Sequence, residues 1–434
     1  MKSIWTKTTV SPSFPSLEGD KKTDVLVIGG GLTGILCTYF LQKQGVNTIL
    51  LEASRIGSGT TKNTTAKITS QHGLIYHKLK NMLGLEKAGL YLKINELALE
   101  QYRQLGTTFD CDFEEKDNYV YSSACSKLEQ ELYTLGQLHF PAVLSKDLPL
   151  PVSQCGAIRF PRQAQFHPLK FLYQIAEGLP IYENSKVREL IGTTAVTECG
   201  TVSADQIIVA THFPFLNKHG LYFMKLYQHR SYVLALSHAP DYDGMYVDDA
   251  KGGFSFRNYG DLLLLGGGSH RTGKQGGNWR QLRSFAREHY PQAVEKAFWA
   301  AQDCMPLDHR PYIGPYSSST KGLYTASGFQ KWGMTSSMVS AMLLTDLVLG
   351  KENPYTQLFS PSRSLLKPQL FVNLMESTAG LVTPSQKRCP HLGCALKWNP
   401  DEHSWDCPCH GSRFDESGTL LNNPAEGDLT NISK

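Results

Sequence analysis

No apolar run in the sequence approaches the roughly 20 residues that a membrane-spanning helix needs; Val25–Ile28 and Leu262–Leu265 are typical of its longest. Long blocks of like charge are missing too. Over 434 residues the formal net charge is only +4, which argues against nucleic acid as a partner. Met1–Asp20 contains early lysines but no apolar core, so it does not read as a secretory signal. There is no internal repeat and no low-complexity segment, which excludes solenoids and disordered arrays. A cytoplasmic chain of two or three domains is the expectation. Of ten cysteines, Cys37, Cys111, Cys125, Cys155, Cys199 and Cys304 stand alone and read as small buried hydrophobes. The other four crowd into Cys389–Cys409, a pattern typical of a metal site.

Near the N-terminus, Thr23–Ile28 reads as a buried strand, Ile35–Gln44 as a helix stopped by Gly45, and Asn47–Leu51 as a second strand. Between the first strand and the helix, Gly29, Gly31 and Gly34 fit G-x-G-x-x-G, with Leu32 and Thr33 inside the loop. Such glycines give a tight turn, close approach of backbone to a pyrophosphate, and close helix–strand packing. The helix N-terminus then offers free N–H groups to the phosphates. Glu52 closes the second strand, where an acid accepts from a ribose 2′-OH and disfavours a 2′-phosphate. These residues predict a dinucleotide site.

The order of later segments is similar to the D-amino-acid-oxidase-like FAD oxidoreductases, which include glycine and sarcosine oxidases. The resemblance covers roughly residues 22–360. It implies that Gly29–Gly34 hold the pyrophosphate and that Glu52 and Ala53 meet the adenosine ribose. Thr60–Lys67, with Thr60, Thr61, Thr65 and Ala66, would form the flavin-side loop. Val187, in Lys186–Arg188, would meet adenine, and Ala210-Thr211 would end the central strand, with His212 in place of a glycine. The late turn from Gly328 through Trp332, Gly333, Met334 and Thr335 would start a helix, Ser336–Leu349, whose dipole faces the flavin.

Departures from the family pattern bear on the substrate. The position of a carboxylate-gripping arginine before Pro311-Tyr312-Ile313-Gly314 holds Asp303 or Cys304. Thr335 stands where sarcosine-oxidase-like relatives have lysine. Asn63 replaces a flavin-attaching histidine, so non-covalent FAD is expected. No general base can be named. Lys67 and His72 flank the flavin loop and are candidates for proton transfer, with a structural role as the alternative. Arg257 is an anion-binding candidate whose alternative is a surface salt bridge. Tyr227, His229 and Tyr232 are further candidates. Met224–Leu236 and Phe254–Gly266 read as strands of an antiparallel sheet. Gly266–Arg271 reads either as a phosphate cradle or as a tight strand end.

In the tail, Cys389-Pro390-His391 is followed after fifteen residues by Cys407-Pro408-Cys409-His410. C-x-H paired with C-x-x-H is the Rieske [2Fe–2S] ligand spacing: both thiolates on one iron, both imidazoles on the other. Neutral imidazoles raise the potential, to about −150 to +300 mV. A zinc knuckle is the alternative, though zinc sites favour C-x₂₋₄-C. The tail resembles respiratory Rieske proteins, which implies a disulfide between Cys394 and Cys409. It also implies a serine, Ser412, bonded to a bridging sulfide, and a covering loop at Asn422–Ala425. Phe414 stands where a tyrosine is common in that group, which implies a somewhat lower potential.

The fold class expected is α/β plus β. A Rossmann-like FAD-binding domain of the glutathione-reductase type is interleaved with an antiparallel-sheet substrate domain, and a short all-β Rieske domain follows. Residues 1–360 form the oxidoreductase, with FAD-binding segments at about 22–75, 150–215 and 305–360. The substrate domain takes about 76–150 and 216–304, a linker 361–385, and a truncated Rieske domain 386–434. So small a unit has little core of its own and should lean on the FAD domain. The function expected is dehydrogenation of an amine or related small molecule. Electrons would pass singly between FAD and the cluster to an external carrier such as a ferredoxin, a flavodoxin or a quinone-linked protein. Relay between protein partners and redox sensing remain as alternatives.

Overall fold

The computed structural model describes residues 2–216 and 219–429; Met1 and the end of the expected 386–434 unit lie outside the described residues. The run Val25–Ile28 is buried on both faces, which is what a central parallel strand requires. Lys21–Ile28 indeed pairs in parallel with Thr48–Leu51 on one side and Thr201–Val209 on the other. Ile181–Tyr182 extends the sheet beyond Thr48–Leu51, while Leu323–Ser327 and an antiparallel edge, Tyr312–Pro315, extend it beyond Thr201–Val209. Helices Leu32–Lys43 and Gly333–Val348 are buried on most of their surface, because they lie between the sheet and further helices.

The second sheet runs in the order 294–306, 226–237, 262–271, 255–259, 245–248, 114–122, 156–165 and 67–68. Its neighbours are antiparallel, except that Met245–Asp248 runs parallel to Glu114–Ser122. Phe254–Gly266 therefore becomes two strands, Ser255–Tyr259 and Leu262–Arg271, joined through Gly260. Gly266–Arg271 lies within the second of these, so it is a strand end and not a phosphate cradle. The domain interleaving is finer than expected. Gly156–Gln165 and Lys67–Ile68, placed by sequence in FAD-binding segments, belong to this second sheet.

Two further corrections concern the tail and the cysteines. Residues 361–385, which the sequence reads as a linker or docking segment with a short helix-like piece at Leu370–Leu374, carry a longer, 15-residue helix, Pro368–Val382. It packs on the tail, where a Cβ placed on Gly380 would meet Cys409 Sγ at 2.6 Å. Among the isolated cysteines, Cys125 and Cys155 form a disulfide and Cys199 is exposed, whereas Cys37, Cys111 and Cys304 are buried.

The C-terminal sheet has four strands of three residues each, Lys397–Asn399, Ser404–Asp406, Arg413–Asp415 and Leu420–Asn422. Its apolar core amounts to a few side chains around Phe414 and Leu396. Polar docking on the oxidoreductase domain supplies the rest. Glu402 accepts from Arg230 Nε at 2.8 Å, from Arg413 Nη2 at 2.8 Å and from Tyr232 Oη at 2.9 Å, with Arg230 Nη2 on its other oxygen. Arg413 Nε also donates to Asp406 at 2.9 Å.

Burial alone would push the Glu402 carboxyl up, but Arg230 and Arg413 outweigh it and hold the group at about 2, below its ordinary 4.5. A depressed carboxyl stabilises the fold above about pH 4.5, and that contribution is lost as pH falls toward 2. Glu402→Ala leaves the buried Arg230 without a carboxylate and Arg413 with Asp406 alone, at a cost of about 3–5 kcal/mol. Limited proteolysis of this variant at neutral pH should release the C-terminal segment, as acid should for the parent; equal protease resistance would refute the docking role.

Candidate functional site

A cavity of about 950 Å³ runs from the glycine loop to the edge of the C-terminal sheet. That is the upper range for a ligand pocket. Gly29, Gly31, Leu32, Thr33, Glu52, Ala53, Thr60, Thr61, Thr65, Val187, Ala210, Trp332, Gly333 and Met334 line it. Gly34, Ala66, Gly328 and Thr335 do not, and they shape the walls instead. Gly29 has φ +113° and its Cβ would lie 2.6 Å from the Ala210 carbonyl oxygen, while a Cβ on Gly34 would lie 1.9 Å from the Gly29 oxygen. A Cβ on Gly31 would meet only Thr61 Oγ1, at 3.6 Å, so this glycine keeps space open at the N-terminus of helix Leu32–Lys43. Thr335 and Thr69 are reciprocally bonded: Thr335 Oγ1 donates to the Thr69 oxygen at 2.8 Å and accepts from the Thr69 N–H at 3.2 Å.

Glu52 accepts from the Gly30 N–H at 2.7 Å and the Ser54 N–H at 2.8 Å, while burial raises its pKa. The next turn is fixed by a residue that the sequence did not single out. Glu183, fully buried, accepts from the Ile56 N–H at 2.8 Å and pairs with Arg55 at 3.0 Å. Nothing local marks Glu183, which acts across more than a hundred residues.

Two of the proton-transfer and anion candidates are corrected. Both ring nitrogens of His72 are committed, Nδ1 to Tyr91 Oη at 2.7 Å and Nε2 to the Thr69 carbonyl at 2.9 Å. A carbonyl only accepts, so Nε2 carries the proton and Nδ1 receives one from Tyr91. Burial holds the ring neutral, with a pKa near 3, stacked 5.1 Å from Trp332. His72 is thus a fixed wall. Arg257 is fully buried and forms no ion pair among the described residues. Its Nη1 donates to the Thr65 and Ala66 carbonyls at 2.7 and 2.9 Å, clamping the flavin loop from behind. It neither reaches the cavity nor makes a surface salt bridge.

Lys67 does line the cavity. Burial, aided by Arg257, pushes its amine down to about 7. Tyr227 and His229 also line the wall, with Asp303, Lys331 and Arg271; Tyr232 bonds His270 and Glu402. Lys331 Nζ donates to Ser269 Oγ at 2.9 Å, and Asp303 accepts from Ser231 Oγ at 2.8 Å.

At the other end, Cys389, His391, Cys407 and His410 come from two adjacent loops. The His391 and His410 rings are 5.0 Å apart and the Cys394–Cys409 disulfide joins the loops. The Cys407 thiol beside Cys389 pulls the latter down to about 7 against its burial, and Cys407 is pushed up in turn. The buried Nδ1 of His410 has no protein hydrogen-bond partner, as a nitrogen reserved for a metal would. Two thiols, two imidazoles and an orphaned ring nitrogen fit a [2Fe–2S] cluster. Ser412 Oγ accepts from the Ala425 N–H at 3.0 Å, tying in the covering loop. The histidines face the oxidoreductase domain: His391 edges onto Phe213 and His410 onto Phe223. The docking donors were also missed from sequence, since their partners lie far along the chain. Gln228 Nε2 donates to the His410 and Asn423 carbonyls at 3.0 and 2.8 Å, and Gln302 Nε2 to Gly411 at 2.7 Å. Arg271 binds the Pro408 and Cys409 carbonyls, both at 2.9 Å.

Known proteins match these two halves. The model of the FAD dependent oxidoreductase family (DAO) matches residues 24–347, and that of the Rieske [2Fe-2S] domain matches residues 364–433, so the latter takes in the helix Pro368–Val382. The putative Rieske 2Fe-2S iron-sulfur protein YhfW of Bacillus subtilis is 35% identical, across 99% of this chain and 97% of its own. A cytochrome b6-f complex iron-sulfur subunit of Nostoc punctiforme is 47% identical over 49 residues, 10% of this chain and 27% of that one. In fold, the chain is similar to glycine oxidase from Geobacillus kaustophilus, with TM-score 0.67 at 20% identity over 79% of this chain and 99% of that one.

Gly31→Ala should fold normally, because its Cβ meets open space, yet bind FAD at least about tenfold more weakly. Flavin absorbance after purification, with circular dichroism as the control, checks this; full flavin content would contradict the cradle. The chain belongs to the FAD-dependent oxidoreductase family and carries a Rieske [2Fe–2S] domain at its C-terminal end, with FAD and the cluster as its cofactors.

Proposed function

We propose that the chain is a dehydrogenase of an amine or related small molecule that passes electrons singly between non-covalently held FAD and the Rieske cluster, and on to an external carrier. One observation carries this reading: the cavity that begins at the glycine loop ends against Leu420–Asn423 and Ala425 of the C-terminal domain, whose histidine ligands face inward. When bound, FAD accepts a hydride equivalent from a C–H donor, and a [2Fe–2S] cluster exchanges one electron at a time.

In this reading Gly29–Gly34 and the helix behind them hold the pyrophosphate, and Glu52 turns from the Gly30 N–H to the ribose. Thr60–Thr65 and the N-terminus of helix Gly333–Val348 hold the flavin end. Cys389, Cys407, His391 and His410 hold the iron. Trp332 and His72 give a rigid aromatic wall, and Asp303 and Lys331 offer one charge of each sign to a substrate. Lys67 is the residue best able to accept a proton near neutral pH. A cytoplasmic setting suits a chain that hands electrons to a ferredoxin, flavodoxin or quinone-linked carrier.

Anaerobic titration with a panel of amines and amino acids, followed by absorbance and electron paramagnetic resonance, tests the reading. At least one donor should bleach the flavin and then reduce the cluster. If none does while a reduced ferredoxin reduces both, the chain is a relay and the dehydrogenase reading fails. With a donor in hand, kcat/KM should rise through about pH 7 as Lys67 loses its proton, because burial has lowered that group from 10.5. Lys67→Met should remove this limb; an unchanged profile would exclude Lys67 as the base.

A further inference from the structure

The helix Pro368–Val382 has one face on the protein and one in water. Leu370, Asn373 and Gly380 are buried against the C-terminal domain and its surroundings. Asn373 accepts from Arg271 at 2.9 Å. On the other face Phe371, Leu374, Met375 and Val382 recur at helical spacing and are 61%, 43%, 73% and 72% exposed. Leu366 before the helix and Leu392 beside His391 are exposed as well. At 1.5 Å per residue the helix is about 22 Å long. An exposed apolar stripe of that length on a folded protein marks a surface that meets something.

The charges around the stripe narrow what it meets. Lys367 stands at the N-terminal end. Arg388 stands at the other, donating to the carbonyls of Leu381, Thr383 and Gly393 at 3.2, 3.1 and 2.8 Å. The only acid in the helix, Glu376, is paired with Lys274 at 2.7 Å. The outward face is therefore apolar, basic at both ends and without a free carboxylate. A second copy packed on it by two-fold symmetry would set basic ends beside basic ends, whichever way the helices ran. An anionic bilayer surface accepts all three properties, because its headgroups take the basic ends and its acyl boundary takes the apolar ridge.

We infer that Pro368–Val382 is an in-plane membrane-binding helix that docks the chain on anionic lipid. Among the described residues no helix is long and apolar enough to cross a membrane, so the contact is peripheral. The bilayer would lie against the outer face of this helix, whose inner face packs Gly380 on Cys394 and Cys409. The inference stands on the helix alone, whatever substrate the cavity takes.

Co-sedimentation of the full chain, with both cofactors bound, is the test. The protein should pellet with vesicles of phosphatidylcholine mixed with phosphatidylglycerol, bind pure phosphatidylcholine more weakly, and be released by salt. The triple variant Phe371→Ser, Met375→Ser, Val382→Ser should partition at least about tenfold less, with unchanged flavin and cluster absorbance and unchanged size on gel filtration. Three results overturn the inference. These are failure of the parent protein to pellet with either vesicle, binding of the variant equal to the parent's, and loss in the variant of a dimer, or of retention on an immobilised acidic ferredoxin, with no vesicle binding by the parent.

Discussion

A carboxylate with almost no exposure, Glu402, lies between two arginines from different parts of the chain, and the C-terminal domain depends on that contact. Arg230 comes from a strand of the oxidoreductase sheet and Arg413 from the small sheet. Buried ion pairs add little net stability when compared with apolar packing of the same volume, but removing one member of a pair is costly. A domain whose own core is a handful of side chains cannot hold its position by apolar burial alone. Directional bonds do it instead, so the orientation of the domain is fixed along with its attachment.

The same device recurs around the cavity. Backbone carbonyls of the cluster loops are held by Gln228, Gln302 and Arg271, and those of the flavin loop by Arg257. In each case the side chain is far in sequence from the loop it holds, and the bond goes to the backbone. Loops that shape a cofactor site must be polar at their surface and rigid in their path. Supplying that rigidity from a neighbouring sheet leaves the loop's own side chains free to face the cavity, as Thr60 and Thr65 do.

How much of this was legible in the sequence follows from the range of each interaction. Gly29, Gly31, Gly34 and Glu52 lie within one βαβ unit, so spacing alone places Gly29, Gly31 and Glu52 at the cavity and Gly34 behind its wall. The four cluster residues fall in two short loops for the same reason. Arg257 and His72 stayed open in the sequence because composition does not show what a side chain meets: with their partners Thr65, Ala66, Tyr91 and Thr69 in view, His72 takes its structural alternative and Arg257 neither of its two readings. Glu183, Arg230 and Glu402 left no local signal, since each bonds to residues brought near only by the completed fold. Of helix Pro368–Val382 only the piece Leu370–Leu374 was legible, within a segment read as linker or docking segment, because prolines and serines surround it and its apolar residues do not continue into a longer periodic run.

The direction of the histidine ligands constrains how the molecule can be used. With Phe213 and Phe223 against them, and Gln228 holding the His410 carbonyl, that edge of the cluster is given over to the oxidoreductase domain. Any exchange with the outside must then use another edge. The disulfide lies under Gly380 of helix Pro368–Val382, which Arg271 and Lys274 of the oxidoreductase domain hold from within while its outer ridge is exposed. Helix Pro368–Val382 thus has two unlike faces, an inner one bonded to the rest of the protein and an outer one that is largely apolar and exposed.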